Sequence, residues 1–137
     1  MRYGSTLSDV ARVLLVDDNE EMLARSAAAL APACEIIGAV KDGPAALQAA
    51  EALHPDVIVL DISMPGMTGL EVASRLHNSG SKAAVVFLTV HDESDVIRAA
   101  NGVGGLGYVL KRRLASDLVF AVQEALAGRP FVSATHH

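Results

Sequence analysis

Five short apolar runs rich in β-branched residues alternate along this chain with longer Ala- and Leu-rich stretches. That alternation is the pattern of repeated βα units, and it restricts the chain to an α/β fold built on a parallel sheet. Strands are predicted over Arg12 to Val16, Glu35 to Val40, Val57 to Leu60, Ala84 to Thr89 and Tyr108 to Leu110. The first, third and fourth are apolar almost throughout instead of alternating in and out, which places them between two helical layers. The second fits an edge. Helices are predicted over Glu20 to Leu30, Pro44 to Leu53, Leu70 to His77, Ser94 to Ala100 and Ser116 to Ala127. Pro44 suits a first helical turn, where a missing N–H is no loss, and Gly128 followed by Pro130 suits a helix stop. The expected architecture is a five-stranded parallel sheet with helices on both faces, in the flavodoxin-like order 2-1-3-4-5.

With 137 residues, 51% of them apolar, the chain is sized for one domain around one core. Residues 12–128 are expected to form it, after a flexible N-terminal segment, 1–11. A frayed C-terminal tail or truncated linker, 129–137, is expected to follow, and its His136 and His137 resemble the remnant of an affinity tag. A net charge of −5 and the lack of any long Lys/Arg run argue against direct nucleic-acid binding by this chain. The single cysteine, Cys34, cannot form an intramolecular disulfide and fits a reducing compartment. No signal-peptide core opens the chain, and no apolar run approaches about 18 residues. A soluble, cytoplasmic protein without membrane contact is the expectation.

Two of the apolar runs end on carboxylates: Val13 to Val16 leads into Asp17 and Asp18, and Val57 to Leu60 leads into Asp61. If the two strands are neighbours in a parallel sheet, three acidic side chains meet at one edge. Unit charges about 4 Å apart repel by roughly 4 kcal/mol at an effective dielectric near 20. A bound cation relieves this, and oxygen-only ligands with room for water and phosphate oxygens suit Mg²⁺. Thr89 and Lys111 end two further apolar runs in the same way. Carboxylates, a metal, a hydroxyl and an ammonium together make a site for an anionic tetrahedral group, with a carboxylate as the available nucleophile. Taken singly, each acid also reads as a strand-end helix cap, Thr89 as a turn cap and Lys111 as a surface lysine. Their joint placement at the ends of four strands favours the site.

These residues closely resemble the receiver domain of bacterial two-component response regulators. The resemblance rests on Leu14-Leu15-Val16-Asp17-Asp18, on Leu60-Asp61-Ile62-Ser63-Met64-Pro65-Gly66-Met67-Thr68-Gly69, on Leu88-Thr89 and on Gly107-Tyr108-Val109-Leu110-Lys111, and it covers about Val13 to Gly128. Within that family the chain looks most like the LuxR-type (NarL/FixJ-like) branch, because no proline follows Lys111 and Phe131-Val132-Ser133 follows the last helix. The resemblance implies that Asp61 accepts a phosphoryl group from a phosphohistidine on a sensor histidine kinase or phosphotransfer protein. It implies Mg²⁺ held by Asp18, Asp61 and the backbone carbonyl of Ser63, with Asp17 acting through metal-bound water. Lys111 and the Thr89 hydroxyl would each bond a phosphoryl oxygen, and Tyr108 would turn inward as Thr89 moves. Ser63 and His91, two positions beyond Asp61 and Thr89, would flank the phosphoryl group and tune its lifetime; a solvated loop histidine is the plain alternative for His91. The expected output is transcription, through a domain absent from this chain, with a second copy of the chain as a further expected partner through the last helices and strand.

Three other readings compete. A stand-alone receiver, or one that acts by contact without phosphorylation, shares all of these residues. An aspartyl-phosphate phosphatase of the haloacid dehalogenase type needs a second Asp two positions after the nucleophile, where this chain has Ser63. A flavin- or nucleotide-binding module finds no Gly-rich phosphate loop here, and the strand-end acids would repel its phosphates unless a metal intervened. One departure from the family is Asn101-Gly102-Val103-Gly104-Gly105-Leu106-Gly107, with four glycines where an Ala-rich helix end is usual. Glycine in a helix costs up to about 1 kcal/mol against Ala, so a short or frayed fourth helix and a mobile output face are expected.

Overall fold

The computed structural model describes residues 10–91 and 94–133. The proposed tag remnant, His136-His137, lies outside them, as does most of the N-terminal segment. The elements run β1 (Ala11–Val16), α1 (Glu20–Leu30), β2 (Cys34–Val40), α2 (Gly43–Leu53), β3 (Val57–Asp61), α3 (Gly69–Asn78), β4 (Ala84–Thr89), α4 (Ser94–Gly102), β5 (Gly105–Leu110), a 3-10 turn at Lys111–Arg113, α5 (Leu114–Leu126) and β6 (Phe131–Val132). The sheet is parallel throughout, in the order β2-β1-β3-β4-β5-β6, with β2 at one edge. This is the flavodoxin-like arrangement expected, extended by one strand.

Strand geometry sends successive side chains to opposite faces, and here both faces are buried. Leu14, Val16, Ile58, Leu60 and Phe87 pack on one side against Ala46, Ala50, Val72, Ala73, Leu76 and Ala100. Val13, Leu15, Val57, Val59, Val86 and Leu88 pack on the other against Leu30, Leu118, Ala121, Val122 and Ala125. The small alanines of α2 and α5 let those helices lie close to the sheet. Helix starts follow local chemistry: Asn19 caps α1 by accepting from Met22 N–H, and Asp42 caps α2 by accepting from Ala45 N–H. Thr68 and Glu71 form a reciprocal capping box at the start of α3. Gly128, at φ +77°, closes α5 in the left-handed conformation.

Two expectations are corrected. The glycine-rich stretch is a helix end only in part: α4, the shortest of the five helices among the described residues, ends at Gly102, Gly104 makes a left-handed turn at φ +89°, and Gly105 and Gly107 belong to β5. A Cβ on Gly105 would stand 2.5 Å from the Phe87 ring and 2.9 Å from the Ala100 carbonyl oxygen, so packing between α4 and β4 demands glycine there. The segment after α5 is not frayed at its start. Phe131 and Val132 pair with Gly107 and Tyr108 as a sixth strand, and Ser133 is 2% exposed.

Candidate functional site

Reversal of strand order between β1's two neighbours opens a crevice at the carboxyl edge of an α/β sheet, and β1 and β3 end there. Asp17 directly follows β1, and Asp61 is the last residue of β3; both are buried, whereas Asp18 is exposed. Carboxylate oxygens of Asp17, Asp18 and Asp61 lie within 4.8 Å of one another. At that separation each pair of ionised groups repels by about 3.5 kcal/mol at an effective dielectric near 20. Lys111, leaving β5, offsets part of this: its Nζ is 3.2 Å from Asp17 Oδ2 and 3.5 Å from Asp61 Oδ1.

Backbone groups complete the first layer of contacts. Asn19 N–H donates to Asp17 Oδ1 at 2.9 Å, and Ser63 N–H donates to Asp61 Oδ1 at 3.2 Å. Burial first, and then the charge of Asp17, push the Asp61 carboxyl up to about 6, against the opposing pull of Lys111 and the Ser63 N–H. Asp17 Oδ2 is buried and accepts no well-aligned hydrogen bond. An acidic oxygen set that still repels itself, with Asp17 Oδ2 held by the Lys111 ammonium alone, has the chemistry of a site for a hard cation on Asp17, Asp18 and Asp61. The Ser63 backbone carbonyl expected as a further ligand belongs to the residue whose N–H already binds Asp61.

Gly69 explains how α3 reaches this edge. Its N–H donates to Ile62 C=O at 2.8 Å, and a Cβ there would stand 2.1 Å from the Asp61 carbonyl oxygen. Only glycine permits that approach. The sequence TGLE carries the capping box, but nothing local signals the close contact.

Beyond the carboxylates, the loop leaving β4 is tied together around His91. Its N–H donates to the buried Thr89 Oγ1 at 3.1 Å, its backbone carbonyl accepts from the Tyr108 hydroxyl at 2.9 Å, and its ring Nε2 lies 3.1 Å from Ser63 Oγ. The resemblance to the receiver family implied that Ser63 and His91 flank the site, and the fold makes them hydrogen-bonded neighbours. Tyr108 is buried, at 2% exposure, with its hydroxyl on the His91 carbonyl. A second polar group was not anticipated: Asp117, Arg113 and Ser133 join at the start of α5, with Ser133 Oγ donating to Asp117 Oδ2 at 2.7 Å. The Arg113–Asp117 spacing of four is legible as a helix pair; the arrival of Ser133 is not. A groove of about 950 Å³ at the opposite edge of the sheet, lined by Leu47, His54, Arg75 and Lys82 among others, contains none of the strand-end residues.

A family profile for the response regulator receiver domain matches residues 13–123. The nitrate/nitrite response regulator protein NarL of Escherichia coli is 36% identical over 90% of this chain and 58% of its own length. The transcriptional regulatory protein LiaR of Bacillus subtilis is 35% identical over 87% of this chain and 57% of its own. The chain thus spans somewhat under three fifths of these curated relatives. Among solved structures, the signal receiver domain of a NarL response regulator from Mycobacterium tuberculosis superposes with a TM-score of 0.83 at 32% identity, covering 88% of this chain and 98% of that one. A LuxR-family two-component response regulator from Aurantimonas superposes with a TM-score of 0.82 at 28% identity, covering 89% of each chain. No helix among the described residues is long and apolar enough to cross a membrane.

Proposed function

The chain belongs to the response regulator receiver domain family, with relatives of the NarL and LiaR type, and from that premise we propose that it is a cytoplasmic switch driven by phosphorylation of Asp61. The observation that carries this reading is the convergence of Asp17, Asp18 and Asp61 with the Lys111 ammonium 3.2 and 3.5 Å from two of them. A carboxylate so placed is a nucleophile facing a counter-charged, partly desolvated crevice. In the proposed transfer an Asp61 carboxylate oxygen attacks phosphorus in the phosphohistidine of a sensor kinase or phosphotransfer protein. The P–N bond breaks with its electron pair passing to the imidazole, which takes a proton, and an acyl phosphate forms on Asp61.

Asp17, Asp18, Asp61 and the Ser63 carbonyl would hold Mg²⁺, which supplies charge neutralisation for the phosphoryl oxygens. Lys111 stays at hand for one phosphoryl oxygen. Thr89 exchanges its bond from His91 N–H for another, and the loop held by Thr89, His91 and Tyr108 settles into the arrangement that binds the added charge better. The Ser63–His91 pair stands at the approach to Asp61 and tunes how long the acyl phosphate survives. The switch is read out through the last helices and strands, as contact with a second copy or with an output domain. From the names of its relatives, we infer that the whole protein regulates transcription.

Incubation with acetyl phosphate, with and without Mg²⁺, tests the reading by intact mass. One phosphoryl adduct that requires Mg²⁺ and disappears in Asp61→Asn is expected. An adduct that persists in Asp61→Asn, or none with either the small donor or a phosphorylated kinase, refutes it.

A further inference from the structure

Lys111 is the one cation bridging Asp17 and Asp61 among the described residues, yet a lysine side chain is long and flexible. Something must hold its backbone in register with the strand-end acids. Residues on both sides of Lys111 are fastened to the same buried pair. On the N-terminal side, the Leu110 N–H at the end of β5 donates to Ser133 Oγ at 3.1 Å. On the C-terminal side, Arg113 at the end of the 3-10 turn donates from Nε to Asp117 Oδ2 at 2.9 Å. Ser133 and Asp117 close the loop through their own 2.7 Å bond.

Both closing residues are buried, Ser133 at 2% and Asp117 at 7% exposure. Two more contacts keep them there: Ser133 N–H donates to the Tyr108 carbonyl at 2.8 Å, and Ser116 Oγ donates to Asp117 Oδ1 at 3.0 Å. The Ser133 hydroxyl both accepts and donates, so its removal leaves an unpaired backbone N–H and a carboxylate short of a donor in the same buried place.

We infer that Ser133 and Asp117 are positioning residues for the Lys111 ammonium, and that β6 serves as a clamp on the site as well as an edge strand. Neither residue touches Asp61; both act through the backbone that carries Lys111. The functional consequence rests on the phosphoacceptor reading above, whereas the positioning itself does not. By linkage, a shift of Lys111 toward a phosphoryl group is felt at Ser133.

The test compares Ser133→Val, which removes the hydroxyl, with Ser133→Thr, which keeps it, in the full chain. The first readout is the NMR signal of the Lys111 ε-methylene in metal-free protein. It is expected to move toward that of a solvent-exposed lysine in Ser133→Val and to stay near the wild-type position in Ser133→Thr. The second readout is the rate of phosphoryl adduct formation from acetyl phosphate with Mg²⁺, expected to fall about tenfold in Ser133→Val and to return within about twofold of wild type in Ser133→Thr. An unmoved Lys111 signal in folded Ser133→Val overturns the inference, whatever the rate does. If wild type takes up no phosphoryl group, the phosphoacceptor reading fails while the Lys111 signal still decides the positioning. Should Ser133→Val fail to fold, Asp117→Asn, which keeps the volume but weakens the hold on Arg113, takes its place under the same criteria.

Discussion

Replacing Asp61 by Asn should make this protein more stable at neutral pH. Asp61 is 3% exposed, and burial together with the neighbouring Asp17 raises its carboxyl from 3.8 to about 6 in spite of Lys111. Between those values the folded protein holds a proton that the unfolded chain has released, so this group's contribution is fully present below about pH 3.8 and is lost as pH rises through about 6. Each tenfold gain in proton affinity on folding corresponds to about 1.36 kcal/mol, so ionised Asp61 costs roughly 3 kcal/mol above that range. Asn keeps the volume and removes the charge. In urea unfolding at pH 7.5 with a chelator present, Asp61→Asn should exceed wild type by about 2–3 kcal/mol, and the gap should shrink towards zero near pH 4. Millimolar Mg²⁺ should narrow the gap at pH 7.5, because an ion bound by the folded wild type stabilises it. A variant no more stable than wild type at pH 7.5, or a gain that is the same at pH 7.5 and pH 4, would show that the acidic cluster is not strained by its own charge.

Gly69→Ala should lose about 2–3 kcal/mol in the same urea assay, since its Cβ meets a backbone oxygen of Asp61 that cannot swing aside; a loss below about 0.5 kcal/mol would contradict the geometry. Tyr108→Phe should cost about 1 kcal/mol by removing the hydroxyl that donates to the His91 carbonyl, and should speed amide exchange at His91, whose N–H is bound to Thr89. For phosphorylated protein, Ser63→Ala and His91→Ala should each change the rate of phosphate release; lifetimes unchanged from wild type in both variants would remove the Ser63–His91 pair from the mechanism. Acidification should loosen the Ser133–Asp117 clamp. Burial disfavours ionised Asp117, but bonds from Arg113, Ser133 and Ser116 outweigh it and hold the carboxyl below its usual range. Its contribution is therefore present at neutral pH and lost as pH falls through that depressed value, which Asp117→Asn unfolding curves flatter in acid than those of wild type would reveal.

Strand and helix order was legible because burial on both faces of a parallel sheet leaves continuous apolar runs, and helix starts carry local caps such as Asp42 and Thr68. The site was legible for a related reason: a polar residue that ends a buried strand has only the sheet edge to occupy, so Asp17, Asp61, Thr89 and Lys111 could be placed together without knowing any distance. Glycines 105 and 107 misled, because a missing side chain reads locally as a weak helix, whereas here it answers to Phe87 and Val86 across the fold. Phe131 and Val132 were too short a run to announce a strand.

What the sequence determined by itself is therefore the set of residues at the edge and the elements that deliver them, since both follow from periodicity and local chemistry. Only the tertiary structure decided how those residues are held. The 2.1 Å clearance that admits only glycine at position 69, the pairing of Ser63 with His91, and the clamp from Ser133 through Asp117 each join residues from separate elements. Such contacts leave no periodic trace, because each depends on where two separate elements come to rest.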